Sequence, residues 1–220
     1  MMKRQQKNSL YNLFAQVGKA LCNPKRLELL DLLVQAPRTV EELAAETQMS
    51  IANTSQHLQR LKQTRLVEAE QDGSFRRYRL ANLLVPQLWH TLRLVAQQQL
   101  VEVEQALDAY RDRRHEFEQV TAQELQARLQ TDEMILIDVR PVVEYEAGHL
   151  PGALSVPLSQ IQQTLTSLPD DKMIVAYCRG PYCVLADEAL AILAEHGWTV
   201  ARLEEGVIEW QLAGRVTSQR

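Results

Sequence analysis

Two cysteines five positions apart form the most reactive stretch of this sequence. Cys178 and Cys183 enclose a short Gly-Pro turn in AYCRGPYCVLADEAL, residues 176–190. The apolar run before Cys178 is typical of a buried parallel strand, and a helix is predicted from about Val184 through Leu193. A thiol at such a strand end faces backbone N–H groups and the positive end of the helix dipole, which lower its pKa. We therefore expect Cys178 to be an ionised thiol, reachable by small molecules, that attacks sulfane sulfur and forms a persulfide.

The second cysteine of this loop leaves two possibilities open. Cys183 could attack a persulfide on Cys178 and close a disulfide or trisulfide bridge within the loop. Alternatively, Cys183 packs at the start of the helix without a chemical role. The sequence does not decide between a resolving thiol and a packing residue.

The elements around the loop alternate between apolar strands and amphipathic helices. Thr121 and Glu124 form a capping box for the helix AQELQARLQ, and MILIDVR and MIVAY are predicted to be buried strands. HGWTVARLEEG supplies a further turn and strand, and VIEWQLAG a final helix. This alternation predicts an α/β domain over residues 118–220, with a parallel sheet covered on both faces. Cys178 would lie at the carboxyl edge of that sheet, where ligands bind in such folds.

Three separated motifs of this half resemble those of a single rhodanese domain over residues 119–216. They are DVR at 138–140, EYEAGHLPGALSVPL at 144–158 and YCRGPYC at 177–183. The resemblance implies that Cys178 is the persulfide-forming nucleophile. The residues that it implies for the backbone anion cradle are Arg179, Gly180, Pro181, Tyr182 and Cys183. It further implies bracing of the site by Asp138 and Arg140, and mainly structural roles for Glu144 and His149.

Two departures from this pattern bear on the chemistry. Related phosphatases and arsenate reductases wrap a tetrahedral oxyanion with a Cys-x5-Arg loop, whereas the sixth residue after Cys178 is Val184. Phosphoryl and arsenate chemistry are therefore disfavoured. Thiosulfate rhodaneses often carry arginine at the fifth position, which is Cys183 here. Efficient thiosulfate turnover is thus not expected, although Arg179 could supply the missing cation.

The charge of the chain divides between its two ends. Residues 1–80 carry 13 Lys/Arg against 8 Asp/Glu, whereas residues 121–220 carry 7 against 14. A basic front joined to an acidic back is typical of a nucleic-acid-binding module fused to a second domain. In the front part, the short helix VEELAAET is followed by a tight turn and by a helix that Ser50 caps and that ends at about Gln63. This arrangement predicts a helix-turn-helix.

The helix after Ser50 is predicted to bury Thr54, Leu58 and Leu61 and to turn its polar side chains outward. The candidate DNA contacts on this helix are Asn53, Ser55, Gln56, His57, Gln59 and Arg60. His57 is equally consistent with a structural histidine. A hairpin predicted at Asp72-Gly73 would then form a wing. The wing arginines expected to contact phosphates are Arg76, Arg77 and Arg79.

The stretch NPKRLELLDLL through GSFRRYRL resembles the ArsR family of bacterial winged-helix regulators, over roughly residues 10–110. The resemblance implies a homodimer that binds an imperfect palindromic operator in double-stranded DNA and leaves it when an inducer is sensed. Metal-sensing members carry Cys-x-Cys where this chain has Thr39, Val40 and Glu41. Neither a metal site nor a cofactor is therefore expected. Cys22 is expected to be a packing residue.

A long helical stretch from Asn82 to about Phe117 carries an apolar stripe with a slip near QQQ, and we expect it to pack in a dimer. The first domain is thus predicted over residues 1–117, a mainly α winged helix-turn-helix, and the second over 118–220, an α/β rhodanese-like parallel sheet. No stretch approaches the roughly 20 apolar residues of a membrane span. The polar N-terminus and the odd number of cysteines favour a cytoplasmic protein without membrane partners.

The leading hypothesis is a homodimeric transcriptional regulator that senses reactive sulfur, such as persulfide, polysulfide or thiosulfate, through Cys178. The alternative is a rhodanese-type sulfurtransferase, in which the winged helix dimerises or localises the enzyme. A third possibility, a metal repressor with an inert appendix, would require zinc or arsenite to release DNA.

Overall fold

The computed structural model describes residues 2–128, 133–169 and 171–218. The chain divides into two compact units, Met1–Arg93 and Leu94–Arg220. The domain boundary predicted between residues 117 and 118 falls inside the second unit.

The first unit is mainly helical and contains a small antiparallel sheet. Its helices are α1 (Met2–Leu21), α2 (Pro24–Gln35), α3 (Val40–Glu46), α4 (Ile51–Gln63) and α5 (Leu84–Gln99), the last of which continues into the second unit. Its strands are β1 (Arg38–Thr39), β2 (Val67–Asp72) and β3 (Phe75–Leu80), which pair in the order β1-β3-β2. The order of helices and hairpin is that of a winged helix-turn-helix, as predicted.

Local capping explains where the helices of this unit begin. The side chain of Asn23 accepts from the backbone N–H of Arg26, with proline at the first helical position. Thr39 and Glu42 form a capping box at α3, and the Ser50 hydroxyl accepts from the N–H of Asn53 at α4. The core that joins these elements includes Leu29, Leu30, Leu43, Leu58, Leu61 and Tyr78.

The hairpin of the wing turns one residue later than predicted. Asp72 still pairs with Phe75 in the ladder, so the two loop residues are Gly73 and Ser74. Gly73 has φ +60, a left-handed conformation that glycine adopts without steric cost.

The second unit alternates helices and strands. Its helices are α6 (Val101–Tyr110), α7 (Ala122–Arg128), α8 (Val142–Ala147), α9 (Ile161–Thr164), α10 (Leu185–Glu195) and α11 (Val207–Leu212). Its strands are β4 (Glu118–Val120), β5 (Met134–Asp138), β6 (Leu154–Ser155), β7 (Met173–Tyr177) and β8 (Val200–Leu203). Short 3₁₀ helices lie at Arg114–Glu116, Leu158–Gln160 and Leu165–Ser167. The last two residues of the predicted helix AQELQARLQ, 129 and 130, lie outside the described residues.

Within the described ranges, five parallel strands form one sheet in the order β4-β8-β7-β5-β6. Successive residues of β7 enter opposite cores: Ile174 packs with residues of α10, and Val175 packs with residues of α7 and α11. This two-sided burial explains the continuous apolar run of β7 and confirms the predicted fold class.

The long helical stretch predicted from 82 to 117 is interrupted. Leu100 has an extended backbone (φ −116, ψ 102), which ends α5 and starts α6 at the next residue. The break falls directly after QQQ, where the apolar spacing slips.

Candidate functional site

Cys178 follows the last residue of β7, and α10 begins seven residues later. Its sulfur lies 4.0 Å from Nη2 of Arg202, a residue of the neighbouring strand β8. Burial raises the pKa of the Cys178 thiol, but the hydrogen bond from Cys183, the charge of Arg202 and the N–H of Ala186 outweigh it. The resulting pKa is about 7, against an ordinary value of 9.0. The lowered pKa favours the thiolate form of Cys178, which an attack on sulfur requires.

Cys183 has the opposite protonation behaviour. Its pKa is raised, first because its thiol hydrogen-bonds the Cys178 sulfur and second because it is buried. The backbone N–H groups of Leu185 and Arg179 also contact the Cys183 side chain. Of these two neighbouring thiols, Cys178 therefore ionises and Cys183 keeps its proton.

The expectation of an open approach to the sulfur is wrong for this state of the protein. Cys178 keeps only 1 % of its surface exposed. The Cys183 carbonyl lies 3.6 Å from the sulfur, and Arg202 is itself fully buried beside it. A sulfur donor therefore reaches Cys178 only when the loop or its covering residues shift, a local opening of the kind that proteins undergo without unfolding.

The cation beside the sulfur comes from a residue that sequence reasoning missed. Arg179, which the sequence offered as a possible source of this cation, pairs with the buried Glu144, with Nη2 and Oε1 2.6 Å apart. Arg202 fills the role and donates Nη2 to the carbonyls of Gly180 and Cys183, each at 3.3 Å. The sequence did carry a signal for the role of Arg202, because an arginine inside a buried strand requires partners for its charge.

The loop packs closely against the backbone that precedes α11. Gly180 has φ +105, and a Cβ there would lie 2.5 Å from the Glu209 carboxylate. A Cβ on Gly206 would lie 2.6 Å from the backbone nitrogen of Gly180. The other two cradle residues are held by their polar groups, the Pro181 carbonyl as an acceptor and the Tyr182 hydroxyl as a donor.

Asp138 and Arg140 brace the strand ends beneath the loop. Both side chains are fully buried, and Nη2 of Arg140 lies 2.6 Å from Oδ2 of Asp138. The hydroxyl of Tyr177, the residue before Cys178, donates to the same Asp138 oxygen at 2.6 Å. His149 hydrogen-bonds the carbonyl of its stacking partner Tyr145 through Nδ1, at 2.9 Å.

The candidate DNA contacts on the recognition helix α4 fall into two sets, exposed and half-buried. Asn53, Gln56 and Arg60 are exposed along one face. Gln59 is half-buried and donates its amide to the Tyr78 hydroxyl at 3.0 Å, which ties α4 to the wing. Ser55 and His57 are also half-buried, and the pKa of His57 is lowered by burial and by the charge of Arg26.

The three wing arginines are not equally available to a phosphate. Arg79 pairs with Glu68 at 2.6 Å and Glu70 at 2.7 Å. Arg77 donates to the Pro37 carbonyl at 3.1 Å. Arg76 is exposed and makes no ion pair with the residues that the structure describes.

Three further features concern a cysteine, metal binding and membrane spans. Cys22, expected to pack in the core, is exposed and lies directly after the end of α1. Over residues 2–128, 133–169 and 171–218, no three His, Cys, Asp or Glu side chains cluster in a way that could hold a metal ion. None of the described helices is both long and apolar enough to cross a membrane.

The chain joins a winged helix with an exposed polar recognition face to a cysteine loop on a parallel sheet. This combination is that of a transcriptional regulator with a rhodanese-type domain. Residues 23–69 match the family model described as "Bacterial regulatory protein, arsR family". Residues 121–213 match the model described as "Rhodanese-like domain".

The chain is similar to one regulator along most of its length and to shorter proteins along one half each. The HTH-type transcriptional regulator Rv0324 of Mycobacterium tuberculosis is 42 % identical over 208 residues, 94 % of this chain and 91 % of the relative. A sulfurtransferase of Allochromatium vinosum is 31 % identical over 98 residues, 44 % of this chain and 90 % of that protein. The homodimeric winged helix-turn-helix domain Mb0332 of Mycobacterium bovis is 42 % identical, with a TM-score of 0.41 over 43 % of this chain and 87 % of that one.

The chain therefore belongs to the ArsR family of transcriptional regulators and carries a rhodanese-like domain in its C-terminal half. Both resemblances predicted from the sequence are confirmed.

Proposed function

We propose that this regulator binds a palindromic operator as a homodimer and changes its affinity for DNA when Cys178 takes up a sulfur atom from a persulfide or polysulfide. The observation that carries the proposal is the setting of the Cys178 sulfur, between the Cys183 thiol and the Arg202 guanidinium, in the same chain as a winged helix. A DNA-binding protein with free thiols fits the cytoplasm, where thiols stay reduced.

The first chemical step is a sulfur transfer to Cys178. The thiolate attacks the terminal sulfur of a donor R–S–S–H and forms a new S–S bond. The donor's own S–S bond breaks, and its electron pair leaves with RS⁻, so the product is Cys178–S–S–H. Arg202 and the N–H of Ala186 stabilise the attacking anion.

A second step assigns a resolving role to Cys183. Its sulfur attacks the inner sulfur of the Cys178 persulfide, the protein disulfide forms, and hydrogen sulfide leaves with the proton that Cys183 gives up. The interaction between the two thiols and the 3.6 Å contact of the Cys178 sulfur with the Cys183 carbonyl support a reaction between these two residues. This step would turn a transient persulfide into a more lasting signal.

The charges near the loop favour thiol-derived donors over thiosulfate. Arg179 is neutralised by Glu144, and Arg202 is paired with Asp187 at 2.7 Å. A dianion would compete with these carboxylates for cations that are already paired. Persulfides and organic polysulfides of the form R–Sₙ–H carry at most one charge on the sulfur chain, and they are the donors that we propose.

DNA recognition is assigned to the exposed face of α4, through Asn53, Gln56 and Arg60, with Arg76 of the wing on the phosphates. Dimerisation is assigned to exposed apolar side chains of α1 and α5, which a monomer would leave in water. These side chains are Leu10, Tyr11, Leu13, Phe14, Leu84, Leu88 and Leu92.

The direct test compares operator binding of the full-length protein before and after polysulfide treatment. We expect the affinity of the wild-type protein to change about tenfold, a coupling common between two sites of one protein. Cys178→Ser should bind DNA normally and lose the response, whereas Cys22→Ser, which alters an exposed cysteine of the other unit, should respond like the wild type. A Cys178→Ser protein that still responds would remove Cys178 from the sensor.

A sulfurtransferase activity is the second candidate, favoured by the 31 % identity to the Allochromatium enzyme along 90 % of its length. Sustained turnover of thiosulfate and cyanide would favour the enzyme. Labelling of Cys178 that stops after one sulfur per chain would favour the sensor.

A further inference from the structure

Arg114 reaches the cysteine loop from outside the stretch that matches the rhodanese model. It begins the 3₁₀ helix Arg114–Glu116, seven residues before the match starts at residue 121. Its guanidinium donates Nη1 to the Pro181 carbonyl at 2.5 Å and Nη2 to the Cys183 carbonyl at 2.6 Å. The side chain is only 11 % exposed, so these contacts form in a largely dry setting.

The same guanidinium holds a buried carboxylate that a second arginine shares. Nη2 of Arg114 lies 2.9 Å from Oδ2 of Asp187, in the first turn of α10. The other oxygen, Oδ1, lies 2.7 Å from Nε of Arg202. The outer nitrogen of Arg202 is the one 4.0 Å from the Cys178 sulfur. Arg114, Asp187 and Arg202 therefore form an unbroken row that ends at the thiol.

The charges in this row give Arg114 an effect on the sulfur. Asp187 opposes ionisation of Cys178, whereas Arg202 favours it. With Arg114 in place, the carboxylate is shared between two cations. Without it, Asp187 would be compensated by Arg202 alone, and its negative charge would act more strongly on the nearby thiolate.

We propose that Arg114 is a positioning residue for Cys178, which acts through Asp187 and the loop carbonyls to hold Arg202 and the loop around the sulfur. The proposal rests on Cys178 being the reactive thiol of the proposed function. It adds that the site of the rhodanese-like domain is completed by the segment that precedes the domain.

Other residues of that preceding segment contact the same loop. Nη1 of Arg111 lies 3.4 Å from the Pro181 carbonyl, and Gln97, in the last turn of α5, accepts from the Tyr182 hydroxyl at 2.8 Å. Because energetic coupling is reciprocal, a segment that tunes the thiol also responds to changes at the thiol. The segment thus joins the cysteine loop to the last turn of α5.

The groups that surround Cys178 come from several elements, and each enters its titration. They are Cys183 of the loop, Ala186 and Asp187 of α10, Arg202 of β8 and Tyr110 at the end of α6. The pKa of Tyr110 is raised by burial and by both thiols, so its hydroxyl stays neutral where Cys178 titrates. Among these groups, Arg114 contacts the side chain of Asp187 and the backbone carbonyl of Cys183.

The test is the pH profile of alkylation at Cys178 in the full-length protein. Iodoacetamide is added over a range of pH, and the tryptic peptide 173–179, which contains Cys178 without Cys183, is quantified by mass spectrometry. The rate at high pH reports access to the sulfur, and the midpoint of the profile reports its ionisation. The two effects of a substitution are therefore separated.

Arg114→Gln should raise the midpoint by about one pH unit, which slows alkylation at low pH about tenfold relative to its own plateau. Arg113→Gln is the matched control, because Arg113 is exposed and pairs with Glu116 instead of the loop. An Arg114→Gln midpoint equal to that of the wild type and of Arg113→Gln would overturn the proposal.

Arg114→Lys covers the case in which the glutamine variant does not fold. Lysine keeps the charge but lacks the fork that reaches two carbonyls, so its midpoint should lie above that of the wild type and below that of Arg114→Gln. A lysine midpoint equal to the wild-type value would then count against the proposal. The profile needs neither DNA nor a sulfur donor. A regulator that ignores polysulfide but shows the shifted midpoint would overturn the proposed function alone.

Discussion

At the scale of single residues, the reactivity of Cys178 is a balance between burial and three stabilising groups. Burial works against the thiolate, and the Cys183 hydrogen bond, the Arg202 charge and the Ala186 N–H work for it. The backbone N–H and the helix start were predictable from a cysteine between a strand and a helix. The hydrogen bond from Cys183 and the charge of Arg202 also lower the pKa of Cys178, and the local sequence pattern did not predict them.

The reaction of Cys178 with sulfane sulfur should therefore depend on pH near neutrality. The folded pKa of about 7 lies below the ordinary 9.0, so the reactive anion is present above pH 7 and is lost as the pH falls through 7. We expect the rate to level off above pH 8, to fall about fivefold between pH 7 and 6, and to fall close to tenfold for each pH unit below 6. Persulfide formation, followed by mass on peptide 173–179, measures it. A midpoint near 9 would contradict this setting of the thiol.

Replacing Cys183 separates its two effects. Cys183→Ala removes the hydrogen-bond donor, so the pKa of Cys178 should rise and its reaction at pH 7 should slow. The same variant should keep an added sulfur on Cys178. The wild type should instead release hydrogen sulfide as the loop disulfide closes, and end two hydrogens lighter than the untreated protein. Intact mass after brief polysulfide treatment distinguishes these products. A wild-type protein that stops at the persulfide would leave Cys183 as a packing residue.

A residue of the site could be predicted from the sequence when its partners lie close to it along the chain. Cys178 and its loop were predictable, because strand, loop and helix are contiguous. Arg202 was not, because its place beside the sulfur depends on the parallel pairing of β7 and β8, in which Ala176 faces Arg202. The pairing of Arg179 with Glu144 likewise joins residues 35 positions apart. Long-range register decides which arginine faces the thiol.

At the scale of elements, the wing shows how strand register redirects charged side chains. Glu68 stands directly opposite Arg79 in the β2–β3 ladder, and their charges pair across it. The alternation of residues predicted the hairpin, but the turn falls one residue later than expected, and this register decides the cross-strand pairs. The break at Leu100 was likewise not predicted, because the sequence showed only a slip in the apolar spacing there.

Arg76 and Arg79 should consequently differ in their effect on DNA binding. Arg76→Ala should weaken operator binding and reduce the slope of log affinity against log salt by about 1, as expected when one phosphate contact is lost. Arg79→Ala should change the slope much less, because Glu68 and Glu70 already neutralise Arg79. Titrations of full-length protein at several salt concentrations give both slopes. Equal losses in the two variants would contradict the assignment.

At the scale of the whole molecule, exposed apolar side chains on the winged-helix unit call for a partner. Leu13 and Phe14 of α1 are 58 % and 61 % exposed, and the DNA-binding role assigned here requires two recognition helices. A second copy of the chain satisfies both conditions at once.

The double substitution Leu13→Glu with Phe14→Glu should therefore give a monomer, because it places charges in the interface. Operator affinity should fall about 100-fold or more, since two half-sites are no longer bound together. Gln16→Glu, a charge on the same exposed helix, is the control and should remain dimeric. Sedimentation velocity gives the oligomeric state, and a dimer that survives the double substitution would place the interface elsewhere.

The central claim is that sulfur on Cys178 changes DNA binding, and one titration tests it most directly. Full-length protein is treated with increasing polysulfide, and the sulfur on peptide 173–179 and the operator affinity are measured on the same samples. We expect the affinity to change in proportion to the fraction of Cys178 that carries sulfur or is joined to Cys183 in the loop disulfide. A protein whose Cys178 is fully modified and whose operator affinity is unchanged would contradict it.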